Sequence, residues 1–355
     1  MIRFGESIRL GSTAVALAAA MLGCSSSPKS QEAPVDSGVT ITYDGSDAIT
    51  RTATGCGQAS SCTPGATAPS VTAEEGYQIA TPANAIVVQP GEEVFLCYYR
   101  TLPNDAEIDV GGFQSWMTPG SSHHFIAYQV GAGTSTLGYG QTFPTQPDGT
   151  LQSCQFGGGT WLYATSVAGQ VIDMKFPQAV GLPMAAHSQI MLNMHFINPG
   201  STPAYPQVTL DVMFAKNVEY KAAAMVSFNV SIDVPAATSA GPGMQTVSGT
   251  CTAPVGAKFF ALTTHTHKRG VNTKVDFIRG GQTTNLVDTT DWEHPDVALW
   301  QAPDFLTIEK GDSFDYSCSY VNMDPIAITV GDTNASNEMC MAIGYFFPAG
   351  AFTCN

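Results

Sequence analysis

Along most of the chain, short apolar runs alternate with clusters of Pro, Gly, Ser and Asn, and the runs carry the two-residue period of strands. The pattern predicts strands at Ala85–Gln89, Glu93–Tyr99, His124–Val130, Ile190–Ile197, Val208–Phe214, Phe259–Thr266 and Cys340–Phe347. In the Ile190–Ile197 run, alternation puts Ile190, Leu192, Met194 and Phe196 on one face and Met191, Asn193 and His195 on the other. No run has the period of a long amphipathic helix, and no unit repeats at a fixed short spacing. Many short strands at this spacing predict an all-β fold of consecutive antiparallel β-sandwiches. A break near Lys216 divides the folded part into two domains, 79–215 and 216–355.

The N-terminus departs from this pattern. Arg3 and Arg9 precede an apolar, alanine-rich run, Thr13 to Leu22, which is too short for an ordinary transmembrane helix and suits a secretory signal over residues 1–23. The run ends in Met21-Leu22-Gly23-Cys24-Ser25, which resembles the bacterial lipobox and makes Cys24 the expected lipidation site. Residues 24–78 are rich in Ser, Thr, Gly, Ala and Pro and read as a flexible stalk, with Cys56 and Cys62 closing a small loop. The expected location is the bacterial outer membrane, with attachment through lipid only.

Export fits the cysteines. Of the 9 in the chain, setting Cys24 aside leaves an even number, which an oxidising compartment turns into disulfides. No C-x-x-C pair supports a thioredoxin-like or zinc-ribbon reading. Only 12% of residues are charged and the net charge is −15, which argues against a nucleic-acid partner. Neither a Gly-x-Ser-x-Gly elbow nor a phosphate-binding glycine loop occurs, so hydrolase and nucleotide-binding readings have no foothold.

The candidate chemistry lies in the histidines. His123 and His124 are adjacent at the start of an apolar run, and His195 shares a strand face with the amide of Asn193. His265 and His267, in Leu262-Thr263-Thr264-His265-Thr266-His267, have the spacing of two that aims both imidazoles to one side of a strand. A His-x-His pair does not choose between zinc and copper. His187 and His294 lie in turn-like surroundings without a ligand partner at useful spacing.

The last segment, Glu338-Met339-Cys340, completes an order that resembles the copper type II, ascorbate-dependent monooxygenases: His-His, a strand His, His-Thr-His, then Glu-Met-Cys. The resemblance covers roughly residues 80 to 355 and implies jelly-roll-like sandwiches with two copper ions facing an interdomain cleft. His123, His124 and His195 would hold an electron-transfer copper, and His265, His267 and Met339 the catalytic one. A soft thioether favours Cu(I), whereas zinc rarely accepts one. The family pairing implies Cys318–Cys340 and Cys251–Cys354, and leaves Cys97–Cys154 to bracket the His-His segment. The implied reaction inserts oxygen from O2 into a C–H bond, with ascorbate or a similar donor as reductant.

Substrate recognition departs from the family. Where the peptide hydroxylases place an arginine, an asparagine and a tyrosine, this chain has Thr263, Met341 and Ile343. A threonine cannot replace a bidentate carboxylate anchor. The expected pocket, with Asn193 beside it, is apolar or weakly polar and takes a small-molecule or peptide-like substrate other than peptidylglycine. The alternative is a copper-binding or electron-transfer lipoprotein that keeps the ligands without turnover.

Overall fold

The strand period seen in the sequence is realised in all but one of the expected runs: the computed structural model contains strands and no helix among the described residues. These are residues 71–72, 74–130, 136–137, 141–142, 146–154, 159–331 and 336–350. The expected leader, Cys24 and the Cys56–Cys62 loop lie outside them. Gly76–Ala80, at the edge of the expected stalk, is a strand paired antiparallel with Val208–Phe214.

Two sheets are built from the first half. A six-stranded sheet centres on Ile108–Met117 and Val208–Phe214, and Tyr220–Lys221 joins its edge. A five-stranded sheet runs in the order Leu151–Ser153, Glu93–Thr101, Gln189–Ile197, Ser122–Val130, Thr160–Thr165. Phe113 and Val212 of the first sheet and Leu192, Met194 and Phe196 of the second share one buried cluster. The second half holds a five-stranded, a four-stranded and a three-stranded sheet. Ala223–Phe228, Met341–Phe347 and Ala257–His265 lie side by side, and Phe259, Leu262 and Phe346 pack against Val275, Phe314 and Tyr316 of a four-stranded sheet. A three-stranded sheet carries Asn337–Glu338.

The halves are not insulated from each other. Phe260, Ala261, Tyr345 and Phe347 of the second half belong to the first cluster, with Phe260 and Tyr345 ringed around Phe176 at 5.1 and 5.3 Å. A third cluster joins Ile126, Tyr128, Trp161 and Met191 to Met339, Met341 and Ile343. This places the His124–His195 face of the first half against the His265 face of the second. Apolar burial across such a contact, at about 25 cal/mol per Å2, favours a fixed relation between the two faces.

One expected strand is absent. Ala85–Gln89 forms only a single bridge, Val88 to Ala204. Pro82 and Pro90 flank it and Asn84 adopts φ of 57°, which together interrupt the ladder. The Cys97–Cys154 and Cys318–Cys340 disulfides are formed. Cys251 is disulfide-bonded as well, and Cys354 lies outside the described residues.

Candidate metal centre

Adjacent residues of a regular strand point to opposite faces, so His123 and His124 would not ordinarily serve one ion. The ladder solves this with a bulge. His195 pairs with His124, but the next residue, Phe196, pairs with Ser122, which leaves His123 out of register. The extra residue re-aims His123, and the ligand nitrogens of His123, His124 and His195 all lie within 4.8 Å of one another.

His195 is completely buried. Its Nε2 lies 2.8 Å from the Glu93 carboxylate, and Phe95 stacks on the ring at 4.0 Å. The Glu93 carboxyl is held below its ordinary range, first by that hydrogen bond to His195. With Nε2–H donated to Glu93, the other nitrogen, Nδ1, remains buried without a partner. A buried, unpartnered imidazole nitrogen beside two further imidazoles is a donor set that could hold a metal ion.

The second histidine pair sits across the junction. His265 ends the Ala257–His265 strand, opposite Met341, and its Nε2 is buried without a partner. Past the strand end the chain turns tightly: the N–H of Gly270 bonds to the His267 carbonyl at 2.9 Å, and a Cβ at residue 270 would meet Thr266 Oγ1 at 2.3 Å. The fully buried Glu338 carboxylate fixes this turn by accepting the backbone N–H of His267 at 2.9 Å and of Arg269 at 2.8 Å. His267 Nδ1 then donates to the Asn337 carbonyl at 3.1 Å, which directs Nε2 away from that bond. Rings of His265 and His267 are 5.3 Å apart, and His265 is 6.4 Å from His124.

Burial keeps these rings neutral. It pushes His123 and His265 down to about 4, and His124 and His267 well below their ordinary value. Neutral imidazoles need lose no proton before ligating a metal. Met339 is buried in the third cluster. Its carbonyl accepts the Tyr320 hydroxyl at 2.8 Å, and the next residue, Cys340, is clamped to Cys318. Its backbone is thereby held two residues from the Asn337 carbonyl that orients His267.

A cavity of about 330 Å3 opens beside His123, His124, His265 and His267. Of the four expected pocket residues, Thr263 and Ile343 line this cavity, whereas Asn193 and Met341 lie outside its lining. His187 and His294 stand apart from the cluster near Asp105 and Asp291, though His294 reaches the cavity rim. Sequence reasoning did not find Glu93, Trp292 or the anchoring role of Glu338. Glu93 is 102 residues from His195, and no local pattern links them.

Several known proteins are similar. A DBH-like monooxygenase protein 1 from Gallus gallus is 26% identical over 64% of this chain and 39% of its own length. The mouse (Mus musculus) protein of that name is 23% identical over 64% and 39%. Dopamine beta-hydroxylase from Canis lupus familiaris is 22% identical over 49% of this chain and 30% of its own. This chain therefore spans well under half the length of these relatives. Residues 228–354, the stretch that carries His265, His267 and Met339, match the family model for the C-terminal domain of the copper type II ascorbate-dependent monooxygenases.

Proposed function

We propose that this chain is a copper-dependent monooxygenase that hydroxylates a C–H bond, using O2 and an ascorbate-like one-electron donor. The observation that carries this reading is the approach of imidazoles from both halves: His123, His124, His265 and His267 border one cavity, and His265 and the adjoining His195 each keep a buried nitrogen without a partner. The similarity of residues 228–354 to the monooxygenase C-terminal domain supports it.

In this reading His123, His124 and His195 hold the electron-transfer copper, while His265, His267 and Met339 hold the copper at the reacting centre. Copper, when bound, supplies one-electron redox chemistry at the first site and oxygen activation at the second, where a thioether favours Cu(I). The protein's own part is positional. Glu93 and the Asn337 carbonyl fix which nitrogen of His195 and His267 is presented, and Glu338 holds the turn that carries His267. Trp161, Ile343 and Tyr345 give the cavity beside the ligand imidazoles an apolar wall. Each half, 79–215 and 216–355, acts as one sandwich that contributes one copper. Export and lipid attachment at Cys24 complete the reading, in keeping with disulfides on both halves.

The test is to load the full chain with copper, count the bound metal, and follow O2 consumption with ascorbate alongside a screen for substrates that gain one oxygen atom. Two copper equivalents and a product with one added oxygen are expected. Copper that is reduced and reoxidised without oxygen transfer across the screen would sink the hydroxylation reading in favour of an electron-transfer lipoprotein. Preference for zinc would sink both.

A further inference from the structure

The cavity beside the imidazoles is bordered by residues 291–297, which link the Gln282–Thr289 strand to Ala298–Leu299. Hydroxyls from both halves pin this strap. Ser166 Oγ donates to the Glu293 carbonyl at 2.5 Å, and Thr263 Oγ1 donates to the Asp296 carbonyl at 2.9 Å. Asp291 closes the turn at its start by accepting the backbone N–H groups of Glu293 and His294. Between the pins, half-buried Trp292 brings its ring to 5.9 Å from that of His123. A side chain of the second half thus covers an imidazole of the first.

The chemistry of the lining follows from these contacts. Thr263 commits its proton to the strap and so offers no donor to a ligand. No lysine or arginine lines the cavity among the described residues. Bound copper and the imidazoles aside, no side chain of the interior compensates a charged ligand: among the described residues Glu293 is the one other acidic or basic side chain of the lining, and it stands exposed at the rim. Glu293 and His294 are exposed at the rim, while Trp161, Met174, Ile343 and Tyr345 supply an apolar interior. The volume of about 330 Å3 lies at the small end of ligand pockets, which suits a compact molecule better than a peptide segment.

We infer that the 291–297 strap sets the substrate class: an uncharged small molecule with an aromatic or hydrocarbon body, packed against Trp292. The inference rests on the monooxygenase reading for the reaction, but the binding stands apart from turnover. Trp292 is the specificity-determining residue because its ring links the strap to the His123 side of the cavity.

The test uses copper-loaded, full-length protein kept free of O2, and fluorine NMR of three probes: para-fluoroethylbenzene, para-fluorophenylacetate and para-fluorobenzylammonium. The neutral probe is expected to bind at least about tenfold more tightly than either ion. Trp292→Ala is expected to weaken it roughly tenfold while bound copper stays unchanged, and Trp292→Phe to restore most of the affinity. Equal or tighter binding of the anion or the cation would overturn the inference. So would binding of the neutral probe that is indifferent to Trp292→Ala, or absence of binding by every probe. Neutral binding in a protein that transfers no oxygen would remove the hydroxylation reading and leave the pocket. Oxygen transfer to a charged substrate would do the reverse.

Discussion

Glu93 Oε1 lies 2.8 Å from His195 Nε2, and this contact decides which nitrogen of a completely buried imidazole is available. A carboxylate hydrogen-bonded to a ligating histidine raises the donor strength of the opposite nitrogen and favours the more highly charged metal state. Glu93→Gln keeps a hydrogen-bond acceptor and removes the charge. It is expected to raise the reduction potential of the His123–His124–His195 copper, read by spectroelectrochemistry. Glu93→Ala is expected to weaken copper at this site by about 10–100-fold in chelator competition. Unchanged potential in the first variant and unchanged affinity in the second would show that Glu93 does not act on the centre.

Glu338 plays a different part on the other side. It receives two buried backbone N–H groups, from His267 and Arg269, so its loss leaves both without an acceptor. Glu338→Ala should cost roughly 2–4 kcal/mol of stability in denaturant unfolding, because an unsatisfied buried donor costs about 1–3 kcal/mol. Glu338→Gln retains one acceptor and should lose less. Copper should fall selectively at the His265–His267 site in both variants, and an equal loss from the two sites would contradict this division of labour.

What was legible in the sequence, and what was not, divides by the range of the interaction. Alternation in Ile190–Phe196 is a local property, and Ile190, Leu192, Met194 and Phe196 indeed share the core while His195 lies on the opposite face with Met191. The expected alternation of His265 and His267 along one strand does not hold: the strand ends at His265, and His267 is placed by the turn that Glu338 anchors. The bulge that re-aims His123 depends on register with a strand some 70 residues later, so nothing in the Ser121-Ser122-His123-His124 string announces it. Glu93, the Glu338 anchor and the Trp292 strap are likewise products of tertiary packing. Thr263 shows the limit most directly. Its face was readable, but its hydroxyl bonds to the Asp296 carbonyl, 33 residues on.

Met339 can be separated from its packing by choice of substitution. Met339→Leu conserves volume in the third cluster and should cost less than about 1.5 kcal/mol. It removes the thioether, so Cu(I) uptake is expected to fall from two equivalents to one, with the His123–His124–His195 site still filled. Met339→Ala should show the same copper loss plus a cavity cost of about 2–5 kcal/mol. Two equivalents bound with unchanged affinity in Met339→Leu would mean that the sulfur is not a ligand.

The buried imidazoles also predict how the metal-free protein responds to acid. Burial lowers His123 and His265 to about 4 from 6.5, and holds His124 and His267 well below their ordinary value. The unfolded chain therefore binds protons that the folded chain refuses, and stability present above pH 6.5 is lost as pH falls toward 4. For each of His123 and His265 the full shift corresponds to roughly 3 kcal/mol, reduced by whatever solvent reaches His123. Glu338 runs the other way: burial raises it from 4.5 to about 7, so it contributes stability below 4.5 that is lost as pH rises through 7. Four lowered imidazoles outweigh one raised carboxyl, and the net expectation is destabilisation on acidification. Urea unfolding of the metal-free protein across this window should show it, and His265→Ala should flatten the slope. Copper binds only the folded arrangement and competes with protons for the same nitrogens, so loading should move the onset of the loss to lower pH. A stability that is flat across the window, or that rises on acidification, would mean these imidazoles are not held neutral by the fold.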